Sequence, residues 1–314
     1  VQMQEECFNI GQTYELCLRA FGELDIIHEE QITDDKMNGY DILVMADVKM
    51  LPREVADHIA DFVKRGGVVI SDCVPQTDSY FAPLESMKKL FGVKSAATHR
   101  VEQKGTWNPF SMLPARWAFV KETPVKPVKN YDQGQGKAYG QDLSFRVVTP
   151  RNCVVADAKV ETTLKSGFPL LLSRNVGKGK CYLFGFCLQD TYFQTWMDDD
   201  TKSRAELQQL MHDVFASTGV TSRVYSSNPD MEAGVRLHGN EAYCFIINHE
   251  AENATTDVIL RDLGFEVGQI MDVEWGRAVD FVRTSDGGVR FTVMAVEGTP
   301  TGVTRLLKIT PKKK

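Results

Sequence analysis

The sequence predicts an α/β fold built on a parallel sheet with covering helices, followed by a small antiparallel β-sandwich. Short apolar runs alternate with amphipathic helical stretches up to Gly219, and beyond it only brief apolar runs separated by turn residues remain. Such alternation marks a parallel sheet, because a parallel neighbour needs a crossover of helical length. At 314 residues the chain exceeds the size at which one hydrophobic core stops growing. Two domains are therefore expected, residues 1–219 and residues 220–314.

The elements follow in order. Ile10, Tyr14, Cys17, Leu18 and Phe21 fall on one stripe of a helix, which Gly22 ends. Leu24–His28 and Tyr40–Ala46 have strand length, and the second lacks polar alternation, as a strand covered on both faces would. Pro52–Arg65 returns to helical spacing, with Pro52 at the first helical position, Val55, Ile59, Phe62 and Val63 on one face, and Gly66-Gly67 as the stop. Val68–Asp72 reads as the next strand, so strand, helix and strand imply a right-handed crossover. Prolines and the Gly-rich Gln133–Gly140 break every period between Val74 and Gly167, and 74–167 reads as an insertion with short elements of its own. Phe168–Ser173 and Lys180–Phe186 form a hairpin across Gly177-Lys178-Gly179. A helix over Lys202–Thr218 buries Leu207, Leu210, Met211, Val214 and Phe215, with Ser203 and Glu206 at capping-box spacing. Val235–Leu237 and Tyr243–Asn248 flank Gly239-Asn240, while Val279–Arg283 and Val289–Met294 flank Asp286-Gly287-Gly288, two hairpins of a sandwich.

Composition narrows the partners. Apolar residues make up 43% and charged residues 25%, as in ordinary globular proteins. With 36 basic against 42 acidic residues the net charge is −6, which offers no field for a phosphate backbone, so no nucleic-acid partner is expected. Lys312-Lys313-Lys314 reads as a solvated tail. No run approaches the roughly 18 apolar residues of a membrane span, and no membrane partner is expected. Val1 in place of an initiator Met reads as a fragment lacking its native N-terminus. The cytoplasm is the expected compartment, with periplasm and secretion left open for that reason. Seven scattered cysteines lack the close pairing of disulfide frameworks or zinc sites, and read as buried thiols.

Three segments together resemble the family 42 glycoside hydrolases, β-galactosidases whose catalytic barrel is followed by a trimerisation domain and a small β-domain. The first is Tyr-Asp-Ile-Leu-Val-Met-Ala at 40–46, continuing through Leu51-Pro52, Val55-Ala56 and Phe62 to Ile70. The second runs from Phe168-Pro169-Leu170 through Arg174-Asn175-Val176-Gly177-Lys178-Gly179-Lys180 to Tyr182-Leu183-Phe184-Gly185. The third is Tyr-Cys-Phe-Ile-Ile-Asn-His at 243–249, similar to the start of the family's β-domain. The resemblance implies a flavodoxin-like, class I glutamine amidotransferase-like fold over 1–219 with that fold's catalytic machinery lost. It also implies a homo-oligomer, a trimer, and an upstream barrel carrying the two catalytic glutamates, absent from this chain.

No complete catalytic site is expected within the chain, and no cofactor or metal. A thiol hydrolase or amidotransferase would need a Cys on a Gly-flanked elbow. Cys73, after a strand in Ser71-Asp72-Cys73-Val74-Pro75, is the nearest candidate but lacks the glycines and follows the wrong strand, and a half-buried small residue is the plainer reading. His249-Glu250 could pair as base and orienting acid, yet reads as a strand-end turn. The six histidines show no ligand spacing. Asp198-Asp199-Asp200 is the densest acidic cluster, better explained by the positive end of the helix that follows than as a glycosidase acid pair. Gly177-Lys178-Gly179 lacks phosphate-loop spacing. Trp107, Trp117 and Trp196, read as lying in loops, are the candidates for carbohydrate contact, against the plainer role of packing anchors assumed for Trp275 within the sandwich. A carbohydrate-binding module is thus a third possibility beside assembly region and thiol enzyme.

Overall fold

The computed structural model describes residues 2–22, 24–34, 36–98, 131–228, 230–248, 253–295 and 303–312. Its elements begin with α1 (Gln2–Phe21), α2 (Glu29–Thr33), β1 (Ile42–Met45), α3 (Arg53–Arg65), β2 (Val68–Ser71), α4 (Glu85–Phe91) and β3 (Val93–Thr98). There follow β4 (Tyr131–Gln135), β5 (Lys137–Ala138), β6 (Gln141–Asp142), β7 (Arg146–Val148), β8 (Arg151–Val155), β9 (Lys159–Leu164), β10 (Pro169–Val176), β11 (Gly179–Phe184), α5 (Leu188–Met197) and α6 (Thr201–Ala216). The rest are strands: β12 (Val224–Ser226), β13 (Met231–His238), β14 (Glu241–Asn248), β15 (Ala254–Leu260), β16 (Val267–Asp272), β17 (Arg277–Ala278), β18 (Val282–Arg283), β19 (Val289–Ala295) and β20 (Val303–Pro311). The chain divides into two compact units, Ile42–Ser203 and Val1–Asp41 with Arg204–Lys314.

In the unit Ile42–Ser203 the main sheet has seven strands in the order β1-β2-β11-β10-β9-β4-β7. Only β1, β2 and β11 run parallel. The remaining neighbours pair antiparallel, so the sheet is mixed where a parallel one was expected. The reason is loop length: β10 and β11 are joined by two residues, Gly177-Lys178, with Gly177 at φ 60°, and β9 returns to β10 through a tight turn in which Leu164 donates to Phe168. Connections that short leave no room for the crossover that a parallel neighbour requires. Three of the seven strands thus come from the stretch 74–167, whose β9, β4 and β7 extend the sheet.

Burial along these strands departs from the expected pattern in one respect. At the edge, β1 hides Leu43 and Met45 and leaves Ile42 and Val44 partly covered, whereas all four residues of β2 are buried. The double covering belongs to the inner strand. Helix α3 buries Val55, Ile59, Phe62 and Val63, and Gly66, at φ 129°, caps its end. Pro52 is its N-cap, one position before the first helical residue. Phe145, Phe184 and Phe186 stack edge to face at 5.6–5.8 Å in the core.

The other unit joins α1, α2 and most of α6 to two antiparallel sheets, β12-β15-β19-β18 and β13-β14-β20-β16-β17. Their inner faces share one core, with Val258, Leu260, Phe291 and Val293 from the first and Val235, Cys244, Ile246, Ile270 and Leu307 from the second. This is the expected sandwich, and Gly239 (φ 58°) sits in the turn between β13 and β14. Leu207, Leu210, Met211, Val214 and Phe215 of α6 are all buried. Two expectations need correction. Leu24–His28 forms no strand; it is an extended lead into α2 with Ile26 exposed, since a five-residue apolar run forms a strand only where a neighbour offers hydrogen bonds. Helix α6 is capped by Asp200, whose Oδ1 accepts the Ser203 amide at 3.0 Å, so Ser203 is the third helical residue and not the cap.

Candidate functional site

Ligands of open α/β sheets bind beyond the carboxyl ends of the parallel strands. In the unit Ile42–Ser203 those ends carry Asp47 after β1, Asp72-Cys73 after β2 and Phe186–Leu188 after β11. Ser71 draws the first two together, its Oγ lying 3.1 Å from the Met45 carbonyl and 2.6 Å from that of Cys73. Asp47 adopts φ 46°, a left-handed conformation that Asp tolerates better than most residues. This turn aims its amide at Asp72 Oδ1, 2.6 Å away, while Asp72 Oδ2 accepts the amide of Leu188, the first residue of α5, at 2.9 Å.

Arg151 of β8 reaches the same place. Its guanidinium is 1% exposed and donates to Asp47 Oδ1 at 2.8 Å, and Asp47 Oδ2 pairs at 2.8 Å with the exposed Lys49. An Arg and two Asp side chains thus cluster at the carboxyl ends of the parallel strands, the end at which α/β sheets bind ligands. Burial pushes the Asp72 carboxyl up to about 6, although the neighbouring guanidinium and the two amides pull it down. Because this folded value lies above the ordinary 3.8, Asp72 contributes stability below pH ~4 that is lost as pH rises through ~6. Wild-type stability relative to Asp72→Asn should therefore fall by about 3 kcal/mol between pH ~4 and ~7. Urea titrations of both proteins across that range check it, and parallel pH profiles would refute it.

Cys73 lies beside this cluster, with Sγ 3.9 Å from the Val74 carbonyl. Burial pushes its thiol up to about 12, and raises Cys153 to about 11 and Cys187 well above its ordinary value. A nucleophilic cysteine works as the thiolate, which such a site disfavours at neutral pH. Among the described residues no three His, Cys, Asp or Glu side chains converge as a metal site, and no helix is long and apolar enough to cross a membrane.

Trp196 lies on α5, not in a loop, because Leu188–Met197 continues helically to Asp198. It is 39% exposed and meets the buried Tyr192 edge to face at 6.3 Å. The acidic cluster separates in the structure: Asp198 pairs with Arg146, whose guanidinium lies 4.5 Å over the Tyr131 ring, and Asp200 caps α6. Trp275 is not in the sandwich core; it sits half exposed between β16 and β17, with the Arg305 guanidinium stacked 3.3 Å from its ring centre. Buried Arg305 in turn pairs with Asp272. Trp107, Trp117, His249 and Glu250 lie outside the described residues. Asp47 and Arg151 escaped the sequence reading, although an Asp just past each of two apolar runs was a visible signal for Asp47 and Asp72.

Comparison with known proteins finds similarities over parts of the chain and in its fold. Residues 20–121 match the family model of the GLMA-like second domain. Over 71 residues, 22% of this chain, the sequence is 35% identical to an exo-β-D-glucosaminidase of Thermococcus kodakarensis, covering 9% of that protein. Part of the chain is thus similar to a stretch of a glycoside hydrolase. Its fold is shared with a GH42 β-galactosidase of G. stearothermophilus, at TM-score 0.60 and 15% identity over 96% of this chain and 36% of the other. An α-L-fucosidase isoenzyme of Paenibacillus thiaminolyticus is similar at TM-score 0.63 and 11% identity, over 96% of this chain and 45% of that one. The chain therefore spans less than half the length of these glycosidases.

Proposed function

We propose that this chain is a non-catalytic assembly and accessory region of a β-galactosidase-like glycoside hydrolase acting in carbohydrate metabolism, with the catalytic barrel upstream. On this reading residues 1–219 are the α/β assembly portion, 220–314 the β-domain, and copies associate as a trimer. The observation that carries it is the buried ion cluster at the carboxyl ends of the parallel strands. Arg151, Asp47 and Asp72 occupy the position at which α/β folds hold ligands, and Cys73 beside them is kept as a thiol. A fold shared with about a third of a β-galactosidase's length supports a part that accompanies a catalyst. Light scattering on the purified chain should report a trimer, and chromogenic galactosides and glutamine should go unhydrolysed. A monomer at every concentration, or turnover of either substrate at enzymatic rate, would overturn the reading.

A second reading, carbohydrate contact, is favoured by Trp196, whose exposed ring on a helix offers a flat apolar face of the kind sugars pack against. Calorimetry with galactosides and xylosides decides it: binding heat that disappears in Trp196→Ala supports contact, and its persistence in that variant removes Trp196 from the site.

A further inference from the structure

The turn after β2 displays two adjacent aromatic rings that stand exposed among the described residues. Tyr80 is 90% exposed and Phe81 75% exposed, and Met50, bridged to Thr77 beside them, is 40% exposed. The turn is braced. Asp78 Oδ1 accepts the amides of Tyr80 and Ala82 at 2.9 Å each, the Asp78 amide donates to the Ala82 carbonyl at 2.8 Å, and Arg53 holds Oδ2 at 2.9 Å. Phe81 is fixed at φ 61°, a left-handed conformation that a bulky residue rarely adopts. A rigid, strained turn presenting aromatic rings to solvent has the character of an interface hot spot. Lys49 and Arg53 stand beside it with their cations outward, over carboxylates that are largely buried.

A complementary receptacle exists in the other unit. A cleft of about 320 Å³ is lined by Tyr14 and Leu18 of α1 and by Met231 and Ala233 of β13, and it carries Glu15 and Glu232. Its one cation, Arg19, is already held by Glu15 and Asp230. An apolar cavity of ~150 Å³ accommodates a benzene ring, so this volume suits two aromatic side chains. Apolar lining fits the rings, and the acidic residues lining the cleft, Glu15 and Glu232, outnumber its cation Arg19, a balance that suits the flanking Lys49 and Arg53.

We propose that the Tyr80–Phe81 turn of one copy inserts into the Tyr14–Met231 cleft of a second copy, joining copies head to tail. The inference rests on the assembly reading above and names its contact. Such a junction uses two different patches, so each copy offers one of each and successive copies join in the same way.

Sedimentation velocity on the full 314-residue chain tests it. A turn variant (Tyr80→Ser with Phe81→Gly) and a cleft variant (Tyr14→Ser with Glu232→Lys) should each weaken self-association by about 30-fold or more. Mixed one to one, they should form a heterodimer, since each retains the half that the other lacks. At a concentration where wild type is monomeric, so that assembly adds nothing to either midpoint, the turn variant should also keep or raise the thermal midpoint, because Gly at 81 relieves the left-handed strain. Wild-type chain that assembles while either variant assembles equally well, or a mixture that stays monomeric, overturns the contact and leaves the assembly reading standing. Wild-type chain that never assembles overturns both. A lowered thermal midpoint in the turn variant would mean that the rings serve their own fold, and would also overturn the proposal.

Discussion

Arg151→Met is expected to destabilise the unit Ile42–Ser203 by about 3–5 kcal/mol, because it strands buried carboxylate without its cation. Asp72 is fully buried and the Asp47 side chain is 13% exposed, and Arg151 is the guanidinium that both face. Removing one member of such a set costs far more than the set itself contributes, since the loss is dominated by the charge left behind. Equilibrium unfolding in urea at neutral pH measures the loss. Acid should partly rescue the variant, because protonating Asp72 removes the stranded charge; without the guanidinium that lowers it, Asp72 takes up its proton above the wild-type value of about 6, so the deficit should shrink as pH falls from alkaline toward 6. A variant within about 0.5 kcal/mol of wild type would show that the cluster is dispensable.

Gly179→Ala is expected to be nearly as damaging, at about 3 kcal/mol. The first residue of β11 passes so close to the end of α3 that an added methyl group would lie 2.1 Å from the Gly67 carbonyl oxygen and 2.2 Å from that of Val63. Both obstacles are backbone, and neither can rotate aside. The same change at Gly140, where nothing lies within 4 Å, is the matched control, its φ of 89° charging only conformational strain. Thermal unfolding of the two variants should separate packing from backbone preference.

These two residues illustrate what was legible beforehand. The Gly177-Lys178-Gly179 turn announced a hairpin from local chemistry alone, and β10 and β11 pair across it. Local period likewise placed α3, α6 and the sandwich hairpins, because each carries its own apolar stripe or alternation and its own stop residue. The mixed character of the sheet was hidden, since β4 is polar and β7 only three residues long, and neither carries an alternation that marks a strand. Arg151 was hidden for the same reason: it stands 104 residues from Asp47, and nothing near it in sequence declares the pairing. Trp196 was misplaced because α5 carries apolar and polar residues on every side, with Gln189, Gln194 and Thr195 buried alongside Leu188 and Tyr192. Such a helix shows no stripe to read.

Asp72 offers its two oxygens to amides that belong to different stretches of chain, one leaving β1 and one opening α5. Solvent can reach either hydrogen only when the carboxylate lets go. The loop after the first strand and the start of the helix are thereby tied to a common event, and deuterium should enter both at matched rates, as a single breathing motion of the fold.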